Sequence, residues 1–552
     1  MASAKAEAVS SAPSLGAPGW LGRTWLGKSW GERLERAALG LLGVLFLLGL
    51  VVRSDALPMH IWDESRNANN ALEAVRSGNW LAPTYNGAAD HWNTKPPLLI
   101  WLIASGLSLG LPPLWALRLP SLLAAAATLS LIWTAIRLGL RDRLAALIAV
   151  ALVLSSALYM GIHGARTGDF DCLETLFITG YVLSFWKLLR APARTIWFAA
   201  FAGSIVGAVL TKGIAGLLPT PGLLLCLIAN RTRALQLVRD WRSWVGCGSA
   251  VLAGLAYYAV REHYDHGYIA AVLANEVGGR FAVAQDGRTG GDLLFYVRNS
   301  VGLEPAVLLL PLGLFALRAR DEARELAIVA LVAGASLFLV ISSAQTKLTW
   351  YALPLVPLLS LPSALGASQA LRRVQARNSR PMRIAAAAAC VCLVVILPAG
   401  QAMRSFSLPD HYRPGHPRPL GADQILYGRA IAALRREGFT RPVAIVDSGF
   451  PNGPAGASAY NPIVDFYLTW NAGSHQFRRV RPPQPLAPGS TVLTCDPKSL
   501  AWLEATYAAS APASVEGCSL ATVAGSAPSP LAGEGKPAMP APAKRAKAHG
   551  GG

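Results

Sequence analysis

The stretch Ile61-Trp62-Asp63-Glu64-Ser65-Arg66 places two adjacent carboxylates and an arginine just after a long apolar run. That run, about residues 37 to 53, has the length of a membrane-spanning helix. The polar loop that opens here ends at His91-Trp92-Asn93-Thr94-Lys95-Pro96-Pro97, with a lysine before a double proline. Because ionisable residues beside a membrane span are candidates for function, we predict an active-site loop over residues 54–113.

The composition of the whole chain indicates a membrane protein. Of its 552 residues, 53% are hydrophobic and only 15% are charged, a balance too apolar for a soluble protein. The net charge of +19 comes largely from short Arg and Lys clusters between apolar runs, which is the pattern of cytoplasmic membrane loops. No basic, aromatic-interleaved soluble stretch is present, so the sequence predicts membrane lipids as partners and no nucleic acid.

Apolar runs of spanning length recur through the first 400 residues and predict a polytopic α-helical membrane protein with about 11 to 13 transmembrane helices. The runs after the first cover about residues 114 to 136, 143 to 162, 172 to 189, 196 to 211, 213 to 229, 244 to 260, 300 to 317, 325 to 342, 349 to 367 and 384 to 400. Residues 1–36 are basic and are expected to be cytoplasmic, and the first run reads as an uncleaved anchor. Residues 37–400 then form the transmembrane domain.

The apolar stretch Pro97 to Gly110 decides on which side of the membrane every later loop lies. It is only about 14 residues long, so we expect an interfacial or re-entrant helix rather than a span. Without this span, the arginine-rich clusters near residues 137, 190, 239, 320 and 377 all share the side of the basic N-terminus, as the positive-inside rule requires. The loops 54 to 95, 163 to 171, 261 to 299 and 343 to 348, with everything after about 401, then face outward.

The chain changes character after Gln401, where prolines become frequent and the long apolar runs end. Alternating short patterns predict a small extracytoplasmic α/β domain over residues 401–525. Its helical patterns cover Ala422 to Glu437, Pro462 to Trp470 and Pro497 to Tyr507, and its β-like runs cover Pro442 to Asp447, His475 to Val480 and Thr491 to Cys495. Cys495 and Cys518 could form a disulfide if this region is extracytoplasmic. Residues 526–552 are predicted to be disordered.

Two acidic groups are candidates for chemistry. Asp63 and Glu64 could simply favour the start of a helix, or one of them could act as a general base at the mouth of a membrane cavity. A second group lies in Arg166-Thr167-Gly168-Asp169-Phe170-Asp171-Cys172-Leu173-Glu174. Asp169 and Asp171 could reach water at the membrane edge without a further role, yet the sidedness argument places them on the face of Asp63.

Five basic residues are expected on that same outer face: Arg66, Lys95, Lys212, Arg280 and Lys347. Each one alone fits contact with water or lipid headgroups. Basic residues on the outer side run against the usual bias, so together they predict a site for a fixed anion. A phosphate carried by a lipid is the anion that the bilayer itself delivers to such a cavity.

The order of several short motifs resembles the membrane glycosyltransferases that use polyprenyl-phosphate sugars. The resemblance is strongest to the bacterial lipid A aminoarabinose transferases and related members of the protein O-mannosyltransferase superfamily. The matching residues are Asp63-Glu64-Ser65-Arg66, Ser77-Gly78-Asn79-Trp80 with Pro83, Lys95-Pro96-Pro97, Arg118-Leu119-Pro120, Asp171 before Leu176-Phe177, Thr211-Lys212-Gly213, Asn275-Glu276 with Arg280-Phe281, and Lys347 with Tyr351-Ala352-Leu353-Pro354. The resemblance implies a GT-C fold with juxtamembrane helices between the first two spans.

The resemblance also implies roles for individual positions. Asp63 would be the main catalytic carboxylate and Asp171 a second acidic residue of the site, although Asp169 could take that place. The residues implied in binding the lipid phosphate are Arg66, Lys95 and Arg280. Two positions depart from the aminoarabinose transferases, which tend to have an acidic residue at Thr94 and tyrosine at Asn67. These departures argue against assuming the same reaction, aminoarabinose transfer to lipid A.

The function implied is transfer of a sugar from a polyprenyl (undecaprenyl) phosphate donor to a lipid A, glycan or protein acceptor. The enzyme is expected to act as a monomer in a bacterial inner membrane, with its active site and C-terminal domain facing the periplasm. No cofactor is required by the resemblance, although the Asp169/Asp171 pair could ligate a divalent cation. A polyprenyl-lipid-sugar flippase or transporter is the main alternative, and a non-catalytic scaffold is a third.

Overall fold

The structure is a computed structural model that describes residues 28–282, 291–301, 304–319, 321–376, 379–412, 422–449, 460–471 and 476–526. The chain divides into two compact units, Met1–Tyr412 and Arg413–Gly552. The division lies beyond the predicted boundary at residue 400 because the helix Leu397–Ser407 and the 3-10 turn Leu408–Tyr412 continue the first unit.

The first unit is built from helices. They are α1 (Lys28–Phe46), α2 (Asp63–Ser77), α3 (Leu98–Ser108), α4 (Pro113–Thr134), α5 (Arg143–Leu154), α6 (Phe170–Arg190), α7 (Thr195–Lys212), α8 (Thr220–Ala229), α9 (Arg231–Arg239), α10 (Trp241–Tyr264), α11 (Tyr268–Val272), α12 (Pro305–Leu308), α13 (Gly313–Leu317), α14 (Glu322–Ser343), α15 (Leu355–Ala376), α16 (Arg380–Val391) and α17 (Leu397–Ser407). A hairpin of β1 (Thr84–Tyr85) and β2 (Ala88–Ala89) follows α2.

Eight helical segments among the described residues are long and apolar enough to cross a membrane. They are Gly31–Val51, Pro113–Gly139, Phe170–Arg190, Thr195–Leu217, Trp241–Tyr264, Glu322–Ser343, Thr349–Ala376 and Arg380–Tyr412. The predicted class, a polytopic α-helical membrane protein, is confirmed. The eight segments found among the described residues are fewer than the 11 to 13 spans that the apolar runs predict.

Local backbone chemistry explains where long apolar runs form short helices. The run 213 to 229 begins at Gly213, whose φ of +62° ends α7. Residues Gly213–Leu217 form a 3-10 helix, and α8 starts only after Pro219, so it has 10 residues. Proline lacks an amide hydrogen and crowds the preceding turn, which also fits the broken helices around Pro305 and Pro311.

The stretch predicted to be interfacial or re-entrant forms α3, a helix of 11 residues. At 1.5 Å per residue it is about 16 Å long, roughly half the hydrocarbon core of a bilayer. It packs against α2 and α4. The prediction of a segment too short to span is therefore confirmed.

The second unit is a small α/β domain, as predicted. Its helices are α18 (Ala422–Arg436), α19 (Pro462–Trp470) and α20 (Pro497–Thr506), and its strands are β3 (Val443–Val446), β4 (Phe477–Val480), β5 (Thr491–Thr494), β6 (Tyr507–Ala509), β7 (Ala513–Val515) and β8 (Cys518–Ser526). The sheet has the order β4-β3-β5-β8-β6, and β7 also pairs with β8. Strands β4, β3 and β5 run parallel, whereas β8 is antiparallel to β5.

Cys495 and Cys518 form a disulfide that links the segment after β5 to the start of β8 across 23 residues of sequence. Both cysteines are buried. The sequence left this pairing open, and the structure confirms it.

We expect Cys495→Ser to destabilise the second unit by about 2–4 kcal/mol, since the bridge restricts the unfolded chain. Limited proteolysis of the full chain at increasing urea concentrations measures this loss of stability. Cys390→Ser, which changes a free cysteine of α16, serves as the control and should leave the proteolysis profile of this unit unchanged. Equal resistance of the Cys495→Ser variant would contradict the expectation.

Candidate active site

A buried ion pair between Glu64 and Arg118 joins the start of α2 to α4. The Arg118 Nε donates to Glu64 Oε1 at 2.7 Å and Nη2 donates to Oε2 at 3.0 Å. Both side chains are fully buried. The same carboxylate accepts the amide hydrogens of His60 at 2.7 Å and Gly168 at 2.9 Å. Burial alone would raise the pKa of Glu64, but the charge and hydrogen bonds of Arg118 lower it.

These contacts favour a positioning role for Glu64 over the catalytic role expected from the sequence. Both oxygens of its carboxylate are already engaged, one of them by the backbone just before Asp169. Glu64 therefore sets the loop that carries Asp169 against the first turn of α2.

Two buried arginines hold the backbone that leads from the first span to α2. Arg118 donates to the carbonyl oxygens of Leu57 at 2.8 Å and Pro58 at 3.0 Å. Arg166 donates to the carbonyl oxygens of Gly49 at 3.1 Å and Leu50 at 2.7 Å, at the end of the first span. Unpaired carbonyls are costly in a low-dielectric interior, so the two side chains stabilise the irregular segment before Asp63.

Arg66, a predicted phosphate ligand, forms a two-bond ion pair with Asp90. The Nε–Oδ2 distance is 2.7 Å and the Nη2–Oδ1 distance is 2.8 Å. The guanidinium also lies 3.5 Å from the ring centroid of Tyr85. Burial raises the pKa of Asp90, but Arg66 and Asn70 lower it below the ordinary value. This geometry shows that Arg66 shapes the loop, and its role in binding phosphate stays a prediction.

Asp90 was missed by the sequence reasoning, although it lies between Arg66 and Lys95 in the same polar loop. Its side chain also accepts from Asn70 Nδ2 at 2.9 Å and from the Trp92 amide at 3.0 Å. The available signal was that Asp90 is an acidic residue in the same polar loop as the predicted site residue Arg66. Nothing in its spacing indicated which residue it would pair with.

Asp63, His163 and Asp169 come together at the start of α2. One carboxylate oxygen of each aspartate and one imidazole nitrogen lie within 4.8 Å of one another. His163 Nδ1 is 3.4 Å from Asp169 Oδ2, which also accepts from Thr167 Oγ1 at 2.5 Å. Burial raises the pKa of Asp169, and the nearby charges of Asp63 and Glu64 add to this.

His163 was not among the predicted site residues. Its ring stacks on Trp350, with centroids 3.8 Å apart and planes inclined by 13°. Burial lowers the pKa of His163, but the charges of Asp169, Asp63 and Asp171 outweigh it and raise the pKa to about 9. The available signal was its place at the start of the predicted outward loop 163 to 171, six residues before Asp169.

Two non-glycine residues of the site have backbone angles in the left-handed region. Trp62 precedes α2 with φ +77°, and His163 has φ +61°. Such conformations cost about 1–3 kcal/mol each and persist only where surrounding contacts impose them. They occur here on both segments that carry the cluster of Asp63, His163 and Asp169.

Lys212, at the end of α7, bridges two carboxylates on α6. Its Nζ lies 2.6 Å from Asp171 Oδ1 and 2.8 Å from Glu174 Oε2, and all three side chains are buried. Asp171 and Asp169 therefore contact different partners. Asp171 is already ion-paired with Lys212, and ligation of a cation by the Asp169/Asp171 pair stays a prediction.

A cavity of about 600 Å³ opens beside this cluster between α7 and α10. Its polar end is formed by Thr94, Lys95, Lys212, Tyr258 and Glu276, and its walls are apolar, among them Phe201, Ile205, Val209, Val251 and Leu255. Lys95 is buried. Two predicted phosphate ligands, Lys95 and Lys212, thus line the same cavity.

The remaining two predicted basic residues are Lys347 and Arg280. Lys347 donates to the carbonyl oxygens of Ser342 at 2.6 Å and Ala344 at 2.5 Å, at the end of α14. Burial lowers the pKa of Lys347. These bonds favour a capping role. The side chain of Arg280 lies outside the part of the chain that the structure describes.

We expect Glu64→Gln to destabilise the protein by about 3–5 kcal/mol, since it leaves a buried Arg118 without its counter-charge. Thermal unfolding of the purified protein in detergent measures this. The double variant Glu64→Leu with Arg118→Met should recover part of the loss because it removes both charges.

Glu325→Gln is the matched control. Glu325 pairs with Arg190 at 2.9 Å in an exposed position, where the loss should stay below about 1 kcal/mol. Equal shifts in both single variants would show that burial does not set the strength of the Glu64–Arg118 contact.

Long apolar helices, the short juxtamembrane helices α2 and α3, and charged side chains beside an apolar cavity define the class of this protein. It is a polytopic membrane protein with the GT-C fold, and its candidate site lies where the polar loop meets α6 and α7.

Comparison with known proteins agrees with this class. Residues 94–257 match the family described as dolichyl-phosphate-mannose-protein mannosyltransferase. The chain is 30% identical over 190 residues to undecaprenyl phosphate-alpha-4-amino-4-deoxy-L-arabinose arabinosyl transferase 2 of Pseudomonas fluorescens, covering 34% of this chain and 32% of that protein. The corresponding transferase of Pseudomonas aeruginosa strain LESB58 is 29% identical over 226 residues, with 40% and 39% covered. The matches thus span less than half the length of these relatives.

The fold is similar over a greater length. The crystal structure of ArnT from Cupriavidus metallidurans bound to undecaprenyl phosphate superposes with a TM-score of 0.61 at 17% identity, covering 90% of this chain and 98% of that one. The apo structure of the same protein gives 0.59 at 18% identity. At these identities the likeness establishes the fold.

Proposed function

We propose that this protein is an integral-membrane glycosyltransferase that transfers a sugar from a polyprenyl phosphate donor to an acceptor hydroxyl. One observation carries the proposal: the cavity between α7 and α10 combines long apolar walls with two buried lysines, Lys95 and Lys212, at one end. A lipid tail suits the walls, and a phosphate suits the lysines.

The donor is proposed to be undecaprenyl phosphate linked to a sugar. Relatives of this chain are named as transferases that use such a donor, and the similar ArnT structure was solved with undecaprenyl phosphate. In this chain, Lys212 is already ion-paired with both Asp171 and Glu174. Lys95 would therefore provide the additional positive charge that a phosphate at this end of the cavity requires.

Asp63 is proposed as the general base. It begins α2 beside the polar loop and is partly exposed, unlike Glu64. In an inverting transfer, the acceptor oxygen bonds to the anomeric carbon as the bond from that carbon to the phosphate oxygen breaks. The acceptor proton passes to a carboxylate, and the lysines stabilise the charge on the leaving phosphate.

The acceptor is proposed to be lipid A, a glycan or a protein at the outer face of a bacterial inner membrane, with the protein acting as a monomer. Two observations support an extracytoplasmic second unit. The arginine clusters follow the positive-inside rule in that orientation, and the Cys495–Cys518 disulfide suits an oxidising compartment.

We expect Asp63→Asn to lower the transfer rate by about 10²–10⁴-fold, the usual contribution of a general base, without preventing folding. The measurement is a transfer assay with purified protein and a panel of radiolabelled polyprenyl-phosphate sugars. Asp55→Asn is the control, since Asp55 is an exposed carboxylate of the same loop and should keep normal turnover.

Near-normal turnover of Asp63→Asn would remove Asp63 from the mechanism. If the wild-type protein consumed no donor but moved the labelled lipid across vesicles, the flippase alternative would replace the transferase.

We expect Lys95→Ala to weaken donor binding about 10- to 100-fold, corresponding to the loss of a charge-assisted hydrogen bond. Binding of radiolabelled undecaprenyl phosphate to the detergent-purified protein measures this. Lys187→Ala is the control, because Lys187 lies at the opposite end of α6 from Asp171. Its Nζ is 4.0 Å from the ring centroid of Trp186. Unchanged affinity of the Lys95→Ala variant would place the phosphate elsewhere.

A further inference from the structure

We propose that a second cavity, at the end of the helical unit opposite the candidate active site, binds one anionic phospholipid. This cavity has a volume of about 270 Å³. It lies near the ends of α6 and α8, near the starts of α7 and α10, and beside α9. Its apolar walls include Phe185, Phe198, Leu223, Leu227, Leu237 and Trp244.

The cavity is separate from the residues proposed for sugar transfer. Phe198 at its wall and Lys212 at the active site are 14 residues apart on α7, which corresponds to about 21 Å along the helix. Asp171 likewise begins α6, whereas Leu188 lies in its last turn. A lipid bound here would therefore not touch the proposed transfer residues, and the inference does not depend on the proposed function.

The walls of the cavity are held in place by hydrogen bonds between its segments. Trp244 Nε1 donates to the carbonyl oxygen of Val238 at 2.8 Å, which ties α10 to α9. Arg242 donates to the carbonyl oxygens of Pro192 at 3.0 Å and Ala193 at 2.9 Å, which ties α10 to the segment before α7. A cavity that is formed before its ligand arrives binds at a lower entropic cost.

The cavity is enclosed by protein rather than open along one lipid-facing side. Phe198, Leu223 and Leu237 come from three different helices, and all three side chains are buried. The volume is close to the lower limit for ligand pockets. It therefore suits one hydrocarbon chain of a lipid better than a whole lipid molecule.

Four arginines on the segments next to the cavity give its surroundings a positive charge. They are Arg194, Arg231, Arg233 and Arg239. Among the residues that the structure describes, none of these four forms an ion pair. Asp240 is the only acidic residue in the sequence between Glu174 and Glu262, and Arg242 already pairs with it at 2.5 Å. An anionic headgroup would supply the opposite charge.

The side chains beside the cavity are those of a membrane interface. Trp241 and Trp244 are exposed at the start of α10, and Leu235 and Val238 are exposed on α9. Tryptophan is enriched at the level of lipid headgroups, and a basic helix with exposed apolar residues lies in the same layer. A phospholipid at this depth presents a phosphate to the arginines and a hydrocarbon chain to the cavity.

The distribution of charge favours a phospholipid over the far end of the donor tail. The 270 Å³ cavity shares wall residues with the 600 Å³ cavity, among them Phe201, Gly246 and Cys247. A polyprenyl tail could extend between the two cavities. Its end carries no charge, however, so it would leave the four arginines without a counter-charge, whereas an anionic phospholipid accounts for both the apolar walls and the arginines.

The test is photo-crosslinking of the full chain in lipid nanodiscs, without donor, by phosphatidylglycerol that carries a photoreactive group on one acyl chain. We expect mass spectrometry to find the crosslinks on peptides of α8, α9 and α10 that line the cavity. Unlabelled phosphatidylglycerol should displace the probe at least tenfold more effectively than phosphatidylcholine does, because only the former is anionic.

A triple variant tests the arginines. Arg231→Gln, Arg233→Gln and Arg239→Gln combined should reduce the crosslinking at this cavity at least tenfold. The matched control combines Arg372→Gln, Arg373→Gln and Arg380→Gln, since these three arginines are also exposed but lie on α15 and α16. The control variant should be labelled like the wild-type protein.

Three results would overturn the proposal. Equal displacement by phosphatidylcholine in the wild-type protein would show that the headgroup charge is not recognised, and this measurement depends on no variant. Undiminished labelling of the Arg231/Arg233/Arg239 variant would place the headgroup elsewhere. Labelling of the same peptides by a polyprenyl phosphate with a photoreactive tail end, undisturbed by phosphatidylglycerol, would assign the cavity to the donor tail. Because phospholipid binding is measured without donor, its failure is distinct from failure of the transfer assay.

Discussion

The buried ion pair of Glu64 and Arg118 is the contact on which the rest of the site depends. It joins α2, α4 and the loop before α6, because the Glu64 carboxylate accepts from Arg118 and from the Gly168 amide. A buried pair of this kind adds little net stability relative to apolar residues, yet losing one partner is costly. Its value here is geometric: it fixes the backbone on both sides of Asp63 and Asp169.

The remaining charges are arranged in separate groups, each of which brings opposite charges into contact. Arg66 neutralises Asp90, Lys212 bridges Asp171 and Glu174, and Asp63 and Asp169 face His163. In a low-dielectric surrounding, a charge that lacks a nearby partner is expensive. These paired charges therefore hold the site together.

A carboxylate also lies beside Thr94, although the sequence has no acidic residue at that position. Thr94 Oγ1 donates to Glu276 Oε1 at 2.8 Å, and Glu276 comes from the π-helical segment Leu273–Ala282. Tyr268 donates to the Thr94 carbonyl at 2.9 Å and ties the same region to the loop. Comparing single positions with a family misses this, since the acidic group reaches the site from about 180 residues away in sequence.

The sequence by itself determined the class of the protein, because long apolar runs, arginine placement and helix-breaking prolines act locally. It also determined the short α3, the helices of the second unit and its strands β3, β4 and β5, whereas β6, β7 and β8 were not predicted. Only the tertiary structure decided which charged side chains are in contact. Glu64 pairs with Arg118, Arg66 with Asp90, and Asp171 with Lys212. His163 lies beside Asp63 and Asp169. The physical reason is that ion pairs form between side chains brought together by packing, and their energies depend on burial and distance that a linear pattern does not contain.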